Sequence, residues 1–206
     1  GVTLPQGMWA TGPRTQFISF DSYSGSRMLD IKANAEDEAH GDIHSVDSFL
    51  QPSAFAAYGV TDDLSLGIRV PYNIRFNVRQ PDHHGEAVEN LGDAVGLGDI
   101  SLFGQYRFFH ANDNLTHLSL LAGIKMPTGE TTVRTRIRDP DGVRTAFEPH
   151  HQPGSDSWDP MLGLAATQGF GPFSLDSSLM YTFSNQGAGH TDLGNVFNYN
   201  LALSYA

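Results

Sequence analysis

Apolar side chains recur at every second position in eight windows of about nine to eleven residues, the period of a strand whose one face meets an apolar medium. Leu64, Leu66, Ile68, Val70 and Tyr72 share one face while Ser65, Gly67 and Arg69 take the other. Ile100, Leu102, Tyr106 and Phe108 oppose Asp99, Ser101, Gln105 and Arg107. Leu118, Leu120, Ala122, Ile124 and Met126 stand against His117, Ser119, Gly123 and Lys125, with Leu121 as the exception. Phe173, Leu175, Leu179, Tyr181 and Phe183 face away from Ser174, Asp176, Ser178 and Thr182. Phe197, Tyr199, Leu201, Leu203 and Tyr205 face away from Asn198, Asn200 and Ser204. Less regular windows lie at about 14–23, 49–60 and 158–169.

The connections between windows alternate in length. Short ones fall at 61–63, 110–114 and 169–172; long ones, rich in Gly, Asp, His and Pro, run over about 24–48, 73–97, 128–157 and 185–194. This rhythm is the turn-and-loop plan of outer-membrane barrels. It predicts an all-β fold, an antiparallel up-and-down transmembrane β-barrel, as a single domain over 1–206 with 1–13 as a periplasmic or lumen-entering lead. Aromatic residues near strand ends, such as Tyr106, Phe108 and Phe109, suit an interfacial girdle. Alternation over 131–137 predicts that the third long loop forms a hairpin closing near Asp139-Pro140-Asp141-Gly142. Eight strands closed on themselves give a narrow, filled lumen, whereas a barrel of about twelve leaves room for an open one. The pattern permits both.

Composition narrows the partners. A formal charge of −11 with no basic run excludes nucleic acid, because nothing is present to neutralise phosphates. The absence of cysteine removes disulfides and thiol chemistry together. No stretch approaches the roughly 18 apolar residues of a membrane helix, and no basic region with an apolar run follows Gly1. Either the protein is soluble, as a β-sandwich or lipocalin-like barrel, or a secretion signal has been removed and the spans are strands; the connection rhythm favours the second.

The stretches 96–109 (GLGDISLFGQYRFF) and 118–130 (LSLLAGIKMPTGE) resemble the barrel family associated with the meta-cleavage pathway of phenol degradation. The resemblance continues through 61–71 (TDDLSLGIRVP), 152–163 (QPGSDSWDPMLG) and 192–205 (DLGNVFNYNLALSY). It implies an outer-membrane barrel of Gram-negative bacteria that admits aromatic or other hydrophobic compounds, and it carries over no catalytic residue. Members of that family usually have more strands and end on an aromatic residue, whereas this sequence stops at Ala206 after Tyr205.

Seven of the nine histidines fall in the long loops: His40, His44, His83, His84, His150, His151 and His190. His40, Asp42 and His44, together with His83 and His84 beside Asp82, offer imidazole and carboxylate groups suited to Zn²⁺, Ni²⁺ or Cu²⁺ where loops converge. A solvated loop is the plainer reading. Acidic Glu36, Asp37, Glu38, Asp42 and Asp47 make the first long loop negative, suited to Ca²⁺ or to cations bridging lipopolysaccharide, while Arg134, Arg136, Arg138 and Arg144 make the third positive. Those arginines suit lipopolysaccharide phosphates or pairing with the first loop. On the inward face, Arg69, Asp99, Arg107, Lys125 and Asp176 are candidates to line the lumen, either as a charge ladder or as a self-neutralising network.

An enzyme is disfavoured. His117 and Ser119 share a strand face but lie roughly 7 Å apart along it, and no nucleophile elbow is present. The reading is a passive outer-membrane channel for small solutes, surrounded by lipid and lipopolysaccharide, with no cofactor. The alternative is a structural or ligand-binding barrel acting through its His-rich and charged loops. Oligomeric state cannot be read from the pattern.

Overall fold

A computed structural model describes residues 1–35, 43–111 and 115–205. Strand β1 (Trp9–Ser19) is followed by helix α1 (Gly25–Ala33), β2 (Ser48–Thr61), β3 (Leu64–Pro81), β4 (Val88–Leu97), β5 (Ser101–Ala111) and β6 (Thr116–Lys125). Short β7 (Arg134–Arg138) and β8 (Arg144–Ala146) form a separate hairpin, then come β9 (Asp159–Phe170), β10 (Phe173–Thr182) and β11 (Val196–Tyr205). The long strands make one curled antiparallel sheet in the order β1-β2-β3-β5-β6-β9-β10-β11, with β4 paired to the far half of β3. Among the described residues β1 and β11 do not pair with each other, so these eight strands do not close on themselves.

All eight alternating windows are strands, and the hairpin expected near 139–142 is β7–β8. Three boundaries differ from the sequence reading. β1 begins at Trp9, within the expected lead, and pairs with β2 from Trp9↔Tyr58 onward. The first long loop holds α1, where Ser24 caps the helix by accepting the Arg27 N–H and Met28 is fully buried. Nine residues are too few to display a helical repeat. The expected loop 73–97 is largely strand, because β3 runs on and β4 returns along it. Register shifts near Val78 break that alternation, with Asn77 and Gly92 at positive φ (55° and 95°).

The burial pattern is inverted relative to a water-soluble sheet. Leu66, Leu102, Tyr106, Leu120, Leu162, Leu164, Leu175 and Leu179 stand exposed on the convex face. Ser65, Ser119, Asp159 and Thr167 are buried on the concave one. Leu164 is 53% exposed while Ser119 is 0%. Among the described residues, an apolar core cluster lies beyond the β3–β5 pairing, where Val78, Leu91, Ala94 and Phe147 pack with Val46, Val133 and Ile137. Burying apolar surface there fastens the third long loop to the β3–β4 extension.

Residues 1–4 run across the concave face, bonded in turn to β6 and β9, to β5, to the β2–β3 turn and to β3. Ser119 Oγ donates to the Gly1 carbonyl, Gln105 Nε2 donates to the Val2 carbonyl at 3.0 Å, and the Leu4 N–H donates to Ser65 Oγ at 2.8 Å. Gly59 makes room for this strap, since a Cβ there would collide with the Pro5 carbonyl. The strap residues lie against the concave face, and Trp9 opens β1 with its ring centroid 4.8 Å from that of Tyr58, the two planes tilted by 43°.

The outward face yields a direct expectation. Leu120→Arg puts a guanidinium into the convex apolar surface, and destabilisation of about 2–4 kcal/mol is expected if the site lies near a bilayer midplane. Denaturant unfolding in lipid vesicles measures it. An unchanged midpoint contradicts a lipid-facing position.

Candidate functional site

The concave face carries a polar cavity of about 250 Å³ between the strands and the third long loop. Arg69, Asn73, Asp99 and Lys125 form part of its wall, and Pro149, His150 and 152–155 supply much of the rest. Strand alternation aims these wall residues inward, and Asn73, Arg75 and Asp99 fasten the loop by bonding its backbone. Asn73 Nδ2 donates to the Pro153 carbonyl at 2.6 Å, and Arg75 Nη1 donates to the Gln152 carbonyl at 3.0 Å. Asp99 accepts from the N–H groups of Gly129 and Ser155, each at 2.9 Å, and from Ser155 Oγ at 2.6 Å. Gly129 and Gly154 touch backbone to backbone here, so that a Cβ on either would meet the other chain segment.

Lys125 sits between two buried carboxylates. Its Nζ lies 2.5 Å from Asp159 and 3.4 Å from Asp99, and it donates to Ser155 Oγ at 2.6 Å. Register explains the first contact, since Lys125 and Asp159 are paired residues of β6 and β9. Arg69 donates to Ser53 and Gln51 of β2 from the same wall.

The five residues expected to line the lumen thus divide. Arg69, Asp99 and Lys125 share the cavity. Arg107 instead turns to the β2–β3 turn and pairs with Asp63 at 2.7 Å, and Asp176 accepts from Thr167 and Ser174 beside a second cavity of about 360 Å³. No single charge ladder runs through all five, because Arg107 lies nearer a turn carboxylate of its own than the cavity. Sequence reasoning passed over Asn73, Arg75 and Asp159; Asp159 opens an irregular window, and its role follows only from its pairing opposite Lys125.

Of the expected metal ligands, His40 and Asp42 lie outside the described residues. His83 and His84 occupy the β3–β4 turn, whose shape is held by Asp82 Oδ1 accepting the Glu86 and Ala87 N–H groups. They do not join His44. His44 instead meets His150 and His151, at ring-centroid separations of 5.3 and 4.8 Å. Burial pushes the His151 imidazole down to about 3, with the charges of His150, His44 and Arg75 adding to the effect.

Of the acidic residues of the first long loop, Glu36, Asp37, Glu38 and Asp42 lie outside the described residues. Arg136 of β7 faces Asp93 of β4 at 3.8 Å, and Arg134 and Arg138 donate to carbonyls of their own hairpin. Asp47, from the first long loop, accepts from Asn77 at 2.6 Å and pairs with Arg79 at 2.7 Å. The Asn77 hydrogen bond chiefly holds the Asp47 carboxyl below its ordinary range, with Ser22 and Arg79 contributing and desolvation opposing. A depressed carboxylate stabilises above its unfolded value and loses that contribution as pH falls through the folded one. Hydrogen exchange of the Arg79 and Asp47 amides, which bond to Ser45 and Phe76, is therefore expected to accelerate below the ordinary carboxylate range in the wild type. An Asp47→Asn variant should lack that pH step.

An antiparallel sheet with an apolar, exposed convex face and a polar, bonded concave face is the wall of a transmembrane β-barrel of the outer-membrane type. Residues 18–206 match the model of the family described as "Putative MetA-pathway of phenol degradation", and the chain belongs to that family. No curated protein matches the sequence. Among solved structures, the crystal structure of the COG4313 outer membrane channel from Pseudomonas putida F1 is similar, at 19% identity and a TM-score of 0.48, over 98% of this chain and 67% of that one.

Proposed function

We propose that this chain forms the wall of a passive channel in the outer membrane of a Gram-negative bacterium, admitting small hydrophobic or aromatic molecules. The observation that carries the reading is the inverted sheet: lipid-compatible outside, with a polar inner face on which the third long loop bounds a polar cavity and a terminal strap crosses elsewhere. Membership of a family described by phenol degradation supports an aromatic solute. A transport role in place of catalysis is supported by Ser119, whose hydroxyl is engaged by the Gly1 carbonyl and Gln105.

Planar-bilayer recording of the refolded protein tests the channel, and uptake of phenol into proteoliposomes tests the solute. Discrete current steps together with phenol uptake faster than in empty vesicles are expected. Insertion without either defeats the proposal, and current without accelerated phenol uptake defeats its solute class.

A further inference from the structure

The first and third long loops bring together three imidazoles that no strand pattern links. The candidate ligand atoms of His44, His150 and His151 all lie within 4.8 Å of one another. His150 and His151 come from a single 3-10 turn that starts at Pro149, with ring centroids 4.1 Å apart. A carboxylate completes the group: Glu148 Oε1 is 3.5 Å from His44 Nε2, and Glu148 Oε2 is 3.5 Å from His150 Nδ1. His151 Nε2 is buried with no hydrogen-bond partner among the described residues.

We propose that His44, His150 and His151, with Glu148 as a fourth donor, bind one divalent transition-metal ion of the Zn²⁺, Ni²⁺ or Cu²⁺ class. Three imidazoles and one carboxylate are the donor set such borderline ions take. Metal–nitrogen bonds of about 2.0–2.1 Å place tetrahedral donors roughly 3.4 Å apart, so the longest present separation must shorten by about 1.4 Å. His150, whose side chain is 42% exposed, has the freedom to close that gap. A buried imidazole nitrogen without a partner is costly to leave unsatisfied, and a metal ion supplies what it lacks.

The surroundings are mixed in charge. Arg75 opposes a cation through its guanidinium at the His151 and Gln152 carbonyls, while Glu148 favours one. Gln80 Oε1 lies 3.1 Å from His44 Nε2, with the Gln80 amide bonded in turn to Glu89, so an ion bound at that nitrogen takes the place of the Gln80 contact. Because Pro149 and His150 also line the polar cavity, the bound ion would tie the third loop to the first at the cavity's edge.

Titration calorimetry with ZnCl₂ on untagged, chelator-stripped protein in detergent is the test, paired with Cu²⁺ electron paramagnetic resonance. One Zn²⁺ per chain is expected, with affinity weakened on the order of tenfold or more by His44→Gln and by His150→Gln, and with nitrogen hyperfine structure on the Cu²⁺ signal. Both variants leave the buried His151 in place, and unchanged circular dichroism confirms their fold. Absence of Zn²⁺ uptake overturns the proposal. So does uptake that survives the His44→Gln/His150→Gln double substitution, or that is lost instead in His83→Gln/His84→Gln.

Discussion

Replacing Asp99 with alanine is expected to free the third long loop while leaving the sheet folded. The Asp99 carboxylate accepts three hydrogen bonds from that loop, two from backbone N–H groups and one from Ser155 Oγ. Hydrogen bonds to a charged acceptor are individually stronger than neutral ones, so their joint loss should ease local opening by roughly 2–3 kcal/mol, on the order of a hundredfold in exchange rate. Lys125 keeps Asp159 as a partner at 2.5 Å, which is why the strands should survive. The checks are hydrogen exchange at Gly129 and Ser155 and, under the channel reading, a larger unitary conductance than wild type. Protection unchanged at both amides would show that Asn73, Arg75 and the Gly129–Gly154 contact hold the loop without Asp99.

The largest loss of stability is expected from Lys125→Met. Methionine approximates the aliphatic stem but removes the ammonium that stands between Asp99 and Asp159, whose side chains are 5% and 3% exposed. Breaking a buried ion pair by deleting one partner costs about 3–5 kcal/mol, because the remaining charge is left uncompensated. Here two carboxylates are left. Denaturant unfolding in lipid vesicles measures the change, and Lys125→Met combined with Asp159→Asn should recover part of it, since one stranded charge is then gone. A double variant no more stable than the single one would mean that the cost is packing and not charge.

These two residues also mark how far the sequence reaches. The strands were readable from single residues because alternation records the medium on each face: Leu120 meets the apolar exterior and Ser119 the interior whatever strand lies beside them. The long-short rhythm of the connections made the barrel plan readable for the same local reason, as did the turn residues 139–142 that close β7–β8. Backbone bulges at Asn77 and Gly92 reset the alternation and hide β4 from a period-two pattern, and a nine-residue helix capped by Ser24 is too short to show its repeat.

Function-bearing contacts obey no local period. Lys125 faces Asp159 only through the β6–β9 register, and His44 meets His150 and His151 only because a small core of Val78, Leu91, Ala94 and Phe147 docks one long loop against the strand extension beside another. The sequence by itself determined which residues are candidates, that is, inward polar residues and loop histidines, since side-chain chemistry and face are local properties. Which of them meet was decided by tertiary structure, because pairing register and loop docking depend on contacts between residues far apart in the chain.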